Sequence, residues 1–273
     1  MYGCQEKDVA HYTCYRVNEP LIINGDLQKK PWIQAPKGTL VDLVTGEKAP
    51  LETKIASLWD NEYLYVAYWV EEPDVQAKLT ERDSLIYSEN DIELFIAGKD
   101  CYYEFQINAL GTIYEVFYIW QEAYTKSSRF DTSEFDLVTR KVDVLGGFQD
   151  VLRHEKHPRG KRWAFMDWDF LGLKTAVSVQ GTINDSSDVD KGWTVELAFP
   201  WKGMKTLFGE EFKPQDKTEL RINFSRFEVS INNKNNENKP LGWSLNAHGV
   251  YDSHIPNCFS YVHLSDKDLK MLK

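Results

Sequence analysis

Short runs of β-branched and aromatic residues recur along the whole chain, and Gly, Pro, Asn and Asp separate one run from the next. Helical periodicity is nearly absent. Runs punctuated in this way are typical of a β-sandwich or barrel. The clearest predicted strands are residues 20–24, 55–59, 63–70, 91–97, 102–108, 113–120, 176–183, 192–200, 219–226 and 259–264. Because no linker or break in composition interrupts them, we predict one all-β domain over residues 1–273, an antiparallel β-sandwich of jelly-roll or immunoglobulin-like type.

Two stretches depart from this pattern. Residues 121–162 mix charge, Gly and His with weak alternation, and they are longer than a normal sandwich connection, so we predict an elaborated inserted loop or an extra hairpin there. Residues 232–240 form a polar low-complexity loop of the kind found at sandwich ends, where binding residues often lie. Short helices are predicted at 202–208 and 266–272.

The charge of the chain argues against a polyanionic partner. The formal net charge is −10, whereas phosphate neutralisation needs clustered Lys and Arg. No apolar stretch approaches the ~20 residues that cross a bilayer. The 14 Tyr, 14 Phe and 9 Trp can fill a large core and still leave aromatic side chains for a ligand. We therefore expect a monomer without nucleic-acid partners or transmembrane segments.

The cysteines leave two questions open. None of Cys4, Cys14, Cys101 and Cys258 has the Cys-x-x-Cys spacing of a structural zinc site. Cys14 lies in a predicted first strand and Cys258 just before the last, so these two residues either form a disulfide or remain buried thiols. The opening MYGC resembles the end of a bacterial lipoprotein signal, in which case Cys4 carries a lipid anchor. We expect a secreted, periplasmic or cell-surface protein.

Strand alternation predicts which side chains share a sheet face. In residues 91–96 the aliphatic side chains point one way, which leaves Glu93 on the opposite face. The same reasoning applied to residues 103–108 and 220–224 gives further polar side chains on outward faces. If these strands are neighbours, one solvent-facing sheet surface carries carboxylate, amide and guanidinium groups, from Glu93, Glu104, Gln106, Asn108, Arg221 and Asn223.

An ordered series of motifs covers nearly the whole chain. It consists of INGDL at 23–27, PW at 31–32, LWDNEYLYV at 58–66, NDIELFI at 90–96, GWTVELAFPW at 192–201, RINFSR at 221–226, GWS at 242–244 and FSYV at 259–262. No single motif is diagnostic. In this order, however, the set resembles the family 9 carbohydrate-binding modules and their broader relatives, which implies a β-sandwich that binds carbohydrate.

The resemblance implies a site in which a sugar is held between two aromatic side chains and fixed by polar groups. The first aromatic residue, the acid and the two polar residues of the next strand fall at Tyr87, Glu93, Gln106 and Asn108. The second aromatic residue lies between Trp243 and Phe259, where Tyr251 is the nearest candidate. The carbohydrate-binding residues carried over are therefore Tyr87, Glu93, Gln106, Asn108, Trp243 and Tyr251.

Two departures from the family pattern affect the ligand. Tyr87 stands where family binders often have Trp, which reduces the stacking surface. Gln106 stands where a well-known type of binder has Arg, which removes a cationic bidentate donor. The family's preference for the reducing ends of glucans is therefore not carried over. The resemblance also implies structural calcium, although an acidic solvated rim is an equal explanation for the candidate ligands Asp60, Glu71, Glu72, Asp74 and Asp91.

Nothing in the sequence demands an enzyme, and no catalytic residue is assigned. The alternative is a glycoside hydrolase or lyase on the same sandwich, with Glu93 and Glu104 as carboxylates roughly 5–9.5 Å apart or with a metal held by His248, Asp252 and His254.

Other chemistries have weaker sequence support. His154 and His157 form a further candidate pair of metal ligands. Hydrolase elbow, phosphate-loop and dinucleotide motifs are absent. Haem binding is a third alternative, because related sandwiches include haem domains, but the chain has few Met and His.

Overall fold

The computed structural model describes Cys4 and residues 9–145, 159–229 and 241–269, and this part of the chain is nearly all β. The strands are β1 His11–Arg16, β2 Gly38–Thr39, β3 Val41–Asp42, β4 Thr53–Trp59, β5 Tyr63–Glu71, β6 Asp91–Ala97, β7 Cys101–Ile107, β8 Ile113–Trp120, β9 Val142–Leu145, β10 Arg162–Phe165, β11 Lys174–Gln180, β12 Gly192–Pro200, β13 Glu219–Glu228, β14 Leu241–Ser244 and β15 Ser260–Asp268. The helices are α1 Lys30–Gln34 and α2 Lys205–Phe208. Neither described helix is long and apolar enough to span a membrane.

The strands form one hydrogen-bonded sheet that closes over the core as a sandwich. Its main path runs β11-β12-β5-β4-β1-β15-β13-β6-β7-β8-β10-β9, with β2, β3 and β14 attached beside it. The predicted β-sandwich is confirmed, and its sheet is mixed rather than antiparallel throughout, because β1 pairs in parallel with both β15 and β4. No tight hairpin joins β1 to either neighbour, so nothing imposes the antiparallel direction there.

The predicted alternation places the core. Ile92, Leu94 and Ile96 of β6 are all fully buried in the main cluster between the two layers. They meet aromatic and aliphatic side chains of the opposite layer, including Trp193 and Leu197 of β12. A second cluster surrounds Phe95, Tyr102, Tyr118 and Phe259 on the outer side of β6 to β8. The outer face of these strands is therefore packed rather than open to solvent.

Two predicted elements were wrong. Residues 20–24 are not a strand. The segment they begin is held by the buried Glu196 carboxylate, which accepts hydrogen bonds from the backbone N–H groups of Asn24 (2.9 Å) and Gly25 (3.1 Å) and from Trp32 Nε1 (2.7 Å). The predicted helix at 266–272 is instead the end of β15, since Asp268 pairs with Arg16 of β1; residues 270–273 lie outside the described residues.

The cysteines are paired differently from the expectation. Cys4 and Cys258 form a disulfide with a Cα–Cα distance of 5.2 Å, so the alternative of a Cys14–Cys258 bridge was wrong. Cys14 is a buried thiol 3.3 Å from Ser57 Oγ, and Cys101 is also a buried thiol. A lipid anchor would use the same sulfur of Cys4 as the disulfide, so the two are mutually exclusive. The anchor stays a prediction.

The 121–162 region adds strands to the edge of the sheet. β10 pairs antiparallel with both β8 and β9, and its first residue, Arg162, lies opposite Trp120 and Leu145. Residues 146–158, between β9 and β10, lie outside the described residues. The region therefore brings a guanidinium group to the outer side of β8.

Candidate functional site

A row of polar side chains crosses four neighbouring strands on the outer face of the sheet. Ser225 of β13 lies opposite Glu93 of β6, Glu93 lies opposite Gln106 of β7, and Gln106 lies opposite Tyr114 of β8. Side chains directly opposite each other project from the same face. The predicted sharing of one face by Glu93, Glu104 and Gln106 is therefore confirmed by the strand register.

The Gln106 amide connects the two carboxyl groups of this face. Its Nε2 donates to Glu93 Oε1 at 3.1 Å and to Glu104 Oε1 at 2.8 Å. These two oxygens are therefore no more than about 6 Å apart. The other oxygens accept hydrogen bonds from Ser225 Oγ (3.0 Å) and from the Tyr118 hydroxyl (2.5 Å). Gln106 Oε1 is buried and has no hydrogen-bond partner among the described residues.

A third carboxyl group extends the row. Asp91 is fully buried two residues before Glu93, and neither of its oxygens has a side-chain hydrogen-bond partner in the described chain. Burial raises the pKa of Asp91 and Glu93 well above their usual range, and neighbouring carboxylates raise it further. Burial also raises the pKa of Glu104 to about 7, although hydrogen bonds from Tyr118 and Gln106 favour its ionised form. The face therefore holds a cluster of acids that resist ionisation.

Two of the three aromatic residues predicted for the site, Tyr87 and Tyr251, lie beside this row. Tyr87 is half-buried and packs edge-on against Tyr114, with ring centroids 5.9 Å apart. Tyr251 is half-buried and packs edge-on against Phe227, with ring centroids 5.6 Å apart. Phe227 lies opposite Asp91 in the strand register. Because β8 and β13 are three strand spacings apart, the two packing partners are separated by roughly 14 Å. The aromatic residues therefore border the row rather than forming a narrow slot.

Residues 245–259 cover the row. His254 Nε2 lies 3.8 Å from Glu104 Oε1, and His254 Nδ1 lies 3.0 Å from the Tyr102 hydroxyl. Phe259 of the same segment packs on Phe95 and Tyr102. The expectation of a solvent-facing surface was therefore wrong, because this segment covers side chains that strand alternation places outside the core. Gln106 itself is fully buried.

Arg162 is a charged group of this face that sequence reasoning missed. Its guanidinium is 1% exposed, lies 4.9 Å from the Trp120 ring centroid, and donates to the His254 backbone oxygen at 3.2 Å. Its positive charge favours the ionised form of Glu104, which lowers the pKa of that carboxyl against the effect of burial. The sequence feature that could have indicated Arg162 is the short run RWAF at 162–165, which contains two aromatic residues. Only the pairing with β8 places that strand here.

Two predicted site residues have other roles. Asn108 is used by the turn after β7: its Oδ1 accepts from the backbone N–H groups of Leu110 and Thr112, and its Nδ2 donates to Glu89 at 2.6 Å. Trp243 lies opposite Arg226, which alternates with Ser225 and so faces the main core. Trp243 is fully buried there, 4.8 Å from the Arg226 guanidinium carbon. It lies on the other side of the sheet from Glu93.

The histidine group proposed for a metal is used in local structure. His248 Nδ1 lies 2.8 Å from the backbone oxygen of Asp252, and Asp252 Oδ1 accepts from the backbone N–H of His254 at 2.8 Å. Burial lowers the pKa of His248 to about 4 and that of His254 well below its usual range. His154 and His157 lie outside the described residues.

Among the five candidate calcium ligands, Asp60, Glu72 and Asp74 accept hydrogen bonds within the protein. Asp60 Oδ1 accepts from the backbone of the β4–β5 turn, and Glu72 accepts from Asn90 and Trp193, each at 2.6 Å. Asp74 Oδ2 accepts from Ser186 at 3.0 Å. Nowhere in the described ranges do three or more His, Cys, Asp or Glu side chains form a group that could hold a metal ion. Calcium stays a prediction.

An open cleft lies beside the segment that leads into β6. It has a volume of about 420 Å³, and its lining includes Leu79, Ser88, Glu89 and Asn90. Asn90 precedes Asp91, and Ser88 follows Tyr87 along the chain. The lining of the cleft does not include Asp91, Glu93 or Glu104.

Solved structures with a similar fold cover nearly the whole chain. A Bacteroides uniformis protein provisionally described as carbohydrate-binding aligns at a TM-score of 0.58 and 14% identity, covering 94% of this chain and 100% of that chain. Two structures of a family 9 carbohydrate-binding module from Caldicellulosiruptor kristjanssonii, with glucose and with cellotriose, align at a TM-score of 0.49. Their identities are 11% and 12%, covering 94% and 96% of this chain and 97% of each module chain. No protein-family model and no curated protein matches the sequence. The chain thus shares its β-sandwich fold with the B. uniformis protein.

Proposed function

We propose that this protein binds carbohydrate, without chemistry, on the outer face of β13, β6, β7 and β8. The observation that carries the proposal is the row from Ser225 to Tyr114, in which Gln106 holds two carboxyl groups side by side and tyrosines border both ends. The B. uniformis protein of similar fold, described provisionally as carbohydrate-binding, supports the same function.

The chemistry of the face suits a sugar. Neighbouring ring hydroxyls donate to carboxylate and amide oxygens, and the C–H face of a pyranose packs on an aromatic ring. Glu93 and Glu104 supply acceptors, Gln106 Oε1 is an acceptor whose hydrogen-bonding capacity is unused, and Tyr87 and Tyr251 supply rings. Binding would displace residues 245–259 from the row.

The disulfide supports an extracytoplasmic location for this function. Cys4 and Cys258 are bonded, and disulfides persist mainly in secreted, periplasmic and cell-surface proteins. Those compartments are also where polysaccharides are encountered by a binding protein. We therefore propose a secreted, periplasmic or cell-surface protein that binds poly- or oligosaccharide.

A polysaccharide and oligosaccharide screen tests the proposal. For any sugar that binds in the screen, we expect Tyr87→Ala to weaken binding about tenfold, because one stacked ring contributes roughly 1–1.5 kcal/mol. The matched control is Tyr63→Ala, which removes another half-buried tyrosine, one that packs against Tyr65 and Lys174. Calorimetry should show an unchanged affinity for the control. Equal losses in both variants, or no binding to any sugar, would contradict the proposed site.

One observation favours a glycoside hydrolase as a second candidate. The Oε1 atoms of Glu93 and Glu104 are at most about 6 Å apart, and retaining glycosidases place their two carboxyl groups roughly 5–5.5 Å apart. The pKa of Glu104, about 7, also suits a general acid. Assaying released sugars in the same wells separates the two functions, because a binding module leaves the polysaccharide intact.

A further inference from the structure

The charges on the proposed sugar-binding face do not balance. Asp91, Glu93 and Glu104 project from adjacent strands, and all three are buried. Apart from burial, the strongest influences that raise the pKa of Asp91 and Glu93 are other carboxylates. Arg162 is the cation that acts on Glu104. Buried carboxyl groups are stable as anions only when opposite charge and hydrogen-bond donors accompany them.

The face also has acceptor atoms that receive no hydrogen bond from a side chain. The Gln106 Nε2 group donates to both glutamates, while Gln106 Oε1 has no partner among the described residues. Both oxygens of Asp91 also lack side-chain donors there. These atoms are acceptors, all of them inaccessible to water in this structure. Three acceptor atoms of the face, Gln106 Oε1 and both oxygens of Asp91, therefore receive no side-chain hydrogen bond within the described part of the chain.

We propose that the ligand of this face is a glycan with an unsubstituted amino group, an amino sugar in its ammonium form. An ammonium carries one positive charge and three donors, which supplies what Asp91, Glu93 and Gln106 lack. The ammonium occupies nearly the same space as the hydroxyl it replaces, so the pyranose still packs on the bordering tyrosines. A tyrosine ring also attracts a cation near its face. This inference rests on the proposed function and specifies its substrate class.

The same charges act against acidic sugars. A uronate would bring a fourth carboxyl group beside Asp91, Glu93 and Glu104, and another anion is disfavoured beside buried acids that already resist ionisation. A neutral sugar would donate hydroxyl hydrogens without adding charge. The expected order of affinity is therefore amino sugar, then neutral sugar, then uronate.

The test uses β-1,4-linked trisaccharides of glucosamine, N-acetylglucosamine, glucose and glucuronate, titrated into the whole protein by calorimetry at about pH 7, where the amine is partly protonated and Glu104 is partly ionised. We expect the glucosamine trisaccharide to bind at least tenfold more tightly than the glucose trisaccharide, with the glucuronate form weakest. Glu104→Gln should remove most of this preference, and Asp91→Asn provides a second variant at a carboxyl group without side-chain partners.

A cationic glycan could also bind elsewhere on a chain of net charge −10. The control variant is therefore Glu210→Gln, which changes the same formal charge on a side chain that is 82% exposed and should leave the preference intact. If the preference survives Glu104→Gln and Asp91→Asn, or if glucose binds as tightly as glucosamine, the inference is overturned while sugar binding stands. If no trisaccharide or other sugar binds, the proposed function itself fails.

Discussion

At the residue scale, the carboxyl cluster is the unusual feature of this protein. Asp91, Glu93 and Glu104 would all be ordinary solvent-facing residues on an open sheet, and burial under residues 245–259 gives them raised pKa values. Gln106 keeps two of them in fixed positions through one amide group. Such an arrangement costs stability, so its presence favours a role in binding rather than in folding.

Glu104 should make stability depend on pH. Its pKa is about 7 in the folded protein, against an ordinary value of 4.5. A raised pKa means that the folded state holds the proton more tightly, so this contribution is complete below about pH 4.5 and is lost as the pH rises through 7. The loss is on the order of 1–3 kcal/mol.

Urea unfolding of the wild type and Glu104→Gln across this pH range measures the effect. We expect the variant to show a flatter profile between about pH 4.5 and 7, because it carries no titratable group at this position. Glu210→Gln, at a highly exposed position, should retain the wild-type profile. Parallel profiles for the wild type and Glu104→Gln would show that the folded state does not hold the Glu104 proton.

At the element scale, β10 connects the 121–162 region to the site. Arg162 begins β10, lies against Trp120 of β8, and donates to the backbone of the covering segment through His254. One guanidinium thus contacts the sheet and the segment above it. The inserted region therefore contributes to the site by supplying a cation close to Glu104.

We expect Arg162→Met to weaken the attachment of residues 245–259 to the sheet and to raise the pKa of Glu104. The substitution keeps an unbranched apolar side chain against Trp120 but leaves the His254 backbone oxygen without this donor, at a cost of roughly 1–3 kcal/mol. Without the nearby positive charge, the pKa of Glu104 should rise further. Arg159→Met is the matched control, since Arg159 also stacks on Trp120 but bonds Glu122 and Asp100. NMR titration measures the pKa of Glu104 in each variant. An equal change in both variants would contradict a specific effect of Arg162 on Glu104.

At the scale of the whole molecule, the Cys4–Cys258 disulfide connects the chain start to the covering segment. The two cysteines are 254 residues apart. Cys258 lies within residues 245–259, next to Phe259, which packs over Tyr102. The disulfide therefore restricts the conformations of the unfolded chain and, in the folded protein, the motion of residues 245–259.

Cys4→Ser should lower stability and loosen the cover. Removing a disulfide that closes so long a loop typically costs about 2–5 kcal/mol, because the unfolded chain regains conformational freedom. Thermal unfolding measures the first effect, and amide hydrogen exchange in residues 246–256 measures the second, with faster exchange expected. Cys14→Ser is the control, since Cys14 is a buried thiol outside the disulfide. Unchanged exchange in Cys4→Ser would show that the disulfide does not restrain the segment.

The sequence by itself determined most of the strands and which of their side chains share a face. β6, β8 and β12 have the predicted bounds, because alternation of apolar and polar residues is a local signal with a period of two. That same alternation placed Glu93, Glu104 and Gln106 together, and the resemblance to the family added Tyr87 and Tyr251 beside them. Residues 20–24 misled because the backbone N–H of Asn24 donates to the buried carboxylate of Glu196, 172 residues away in sequence, rather than to a neighbouring strand.

Only the tertiary structure decided what lies around that face. Residues 245–259, Arg162 and the Cys4–Cys258 bond reach it through contacts between residues far apart in the chain. The tertiary structure also places Trp243 in the core against Arg226, and Asn108 in a turn where it accepts a hydrogen bond from the Thr112 backbone. A local pattern shows that a side chain points away from the core. Whether water or another segment meets it depends on packing across the whole chain, which no local pattern records.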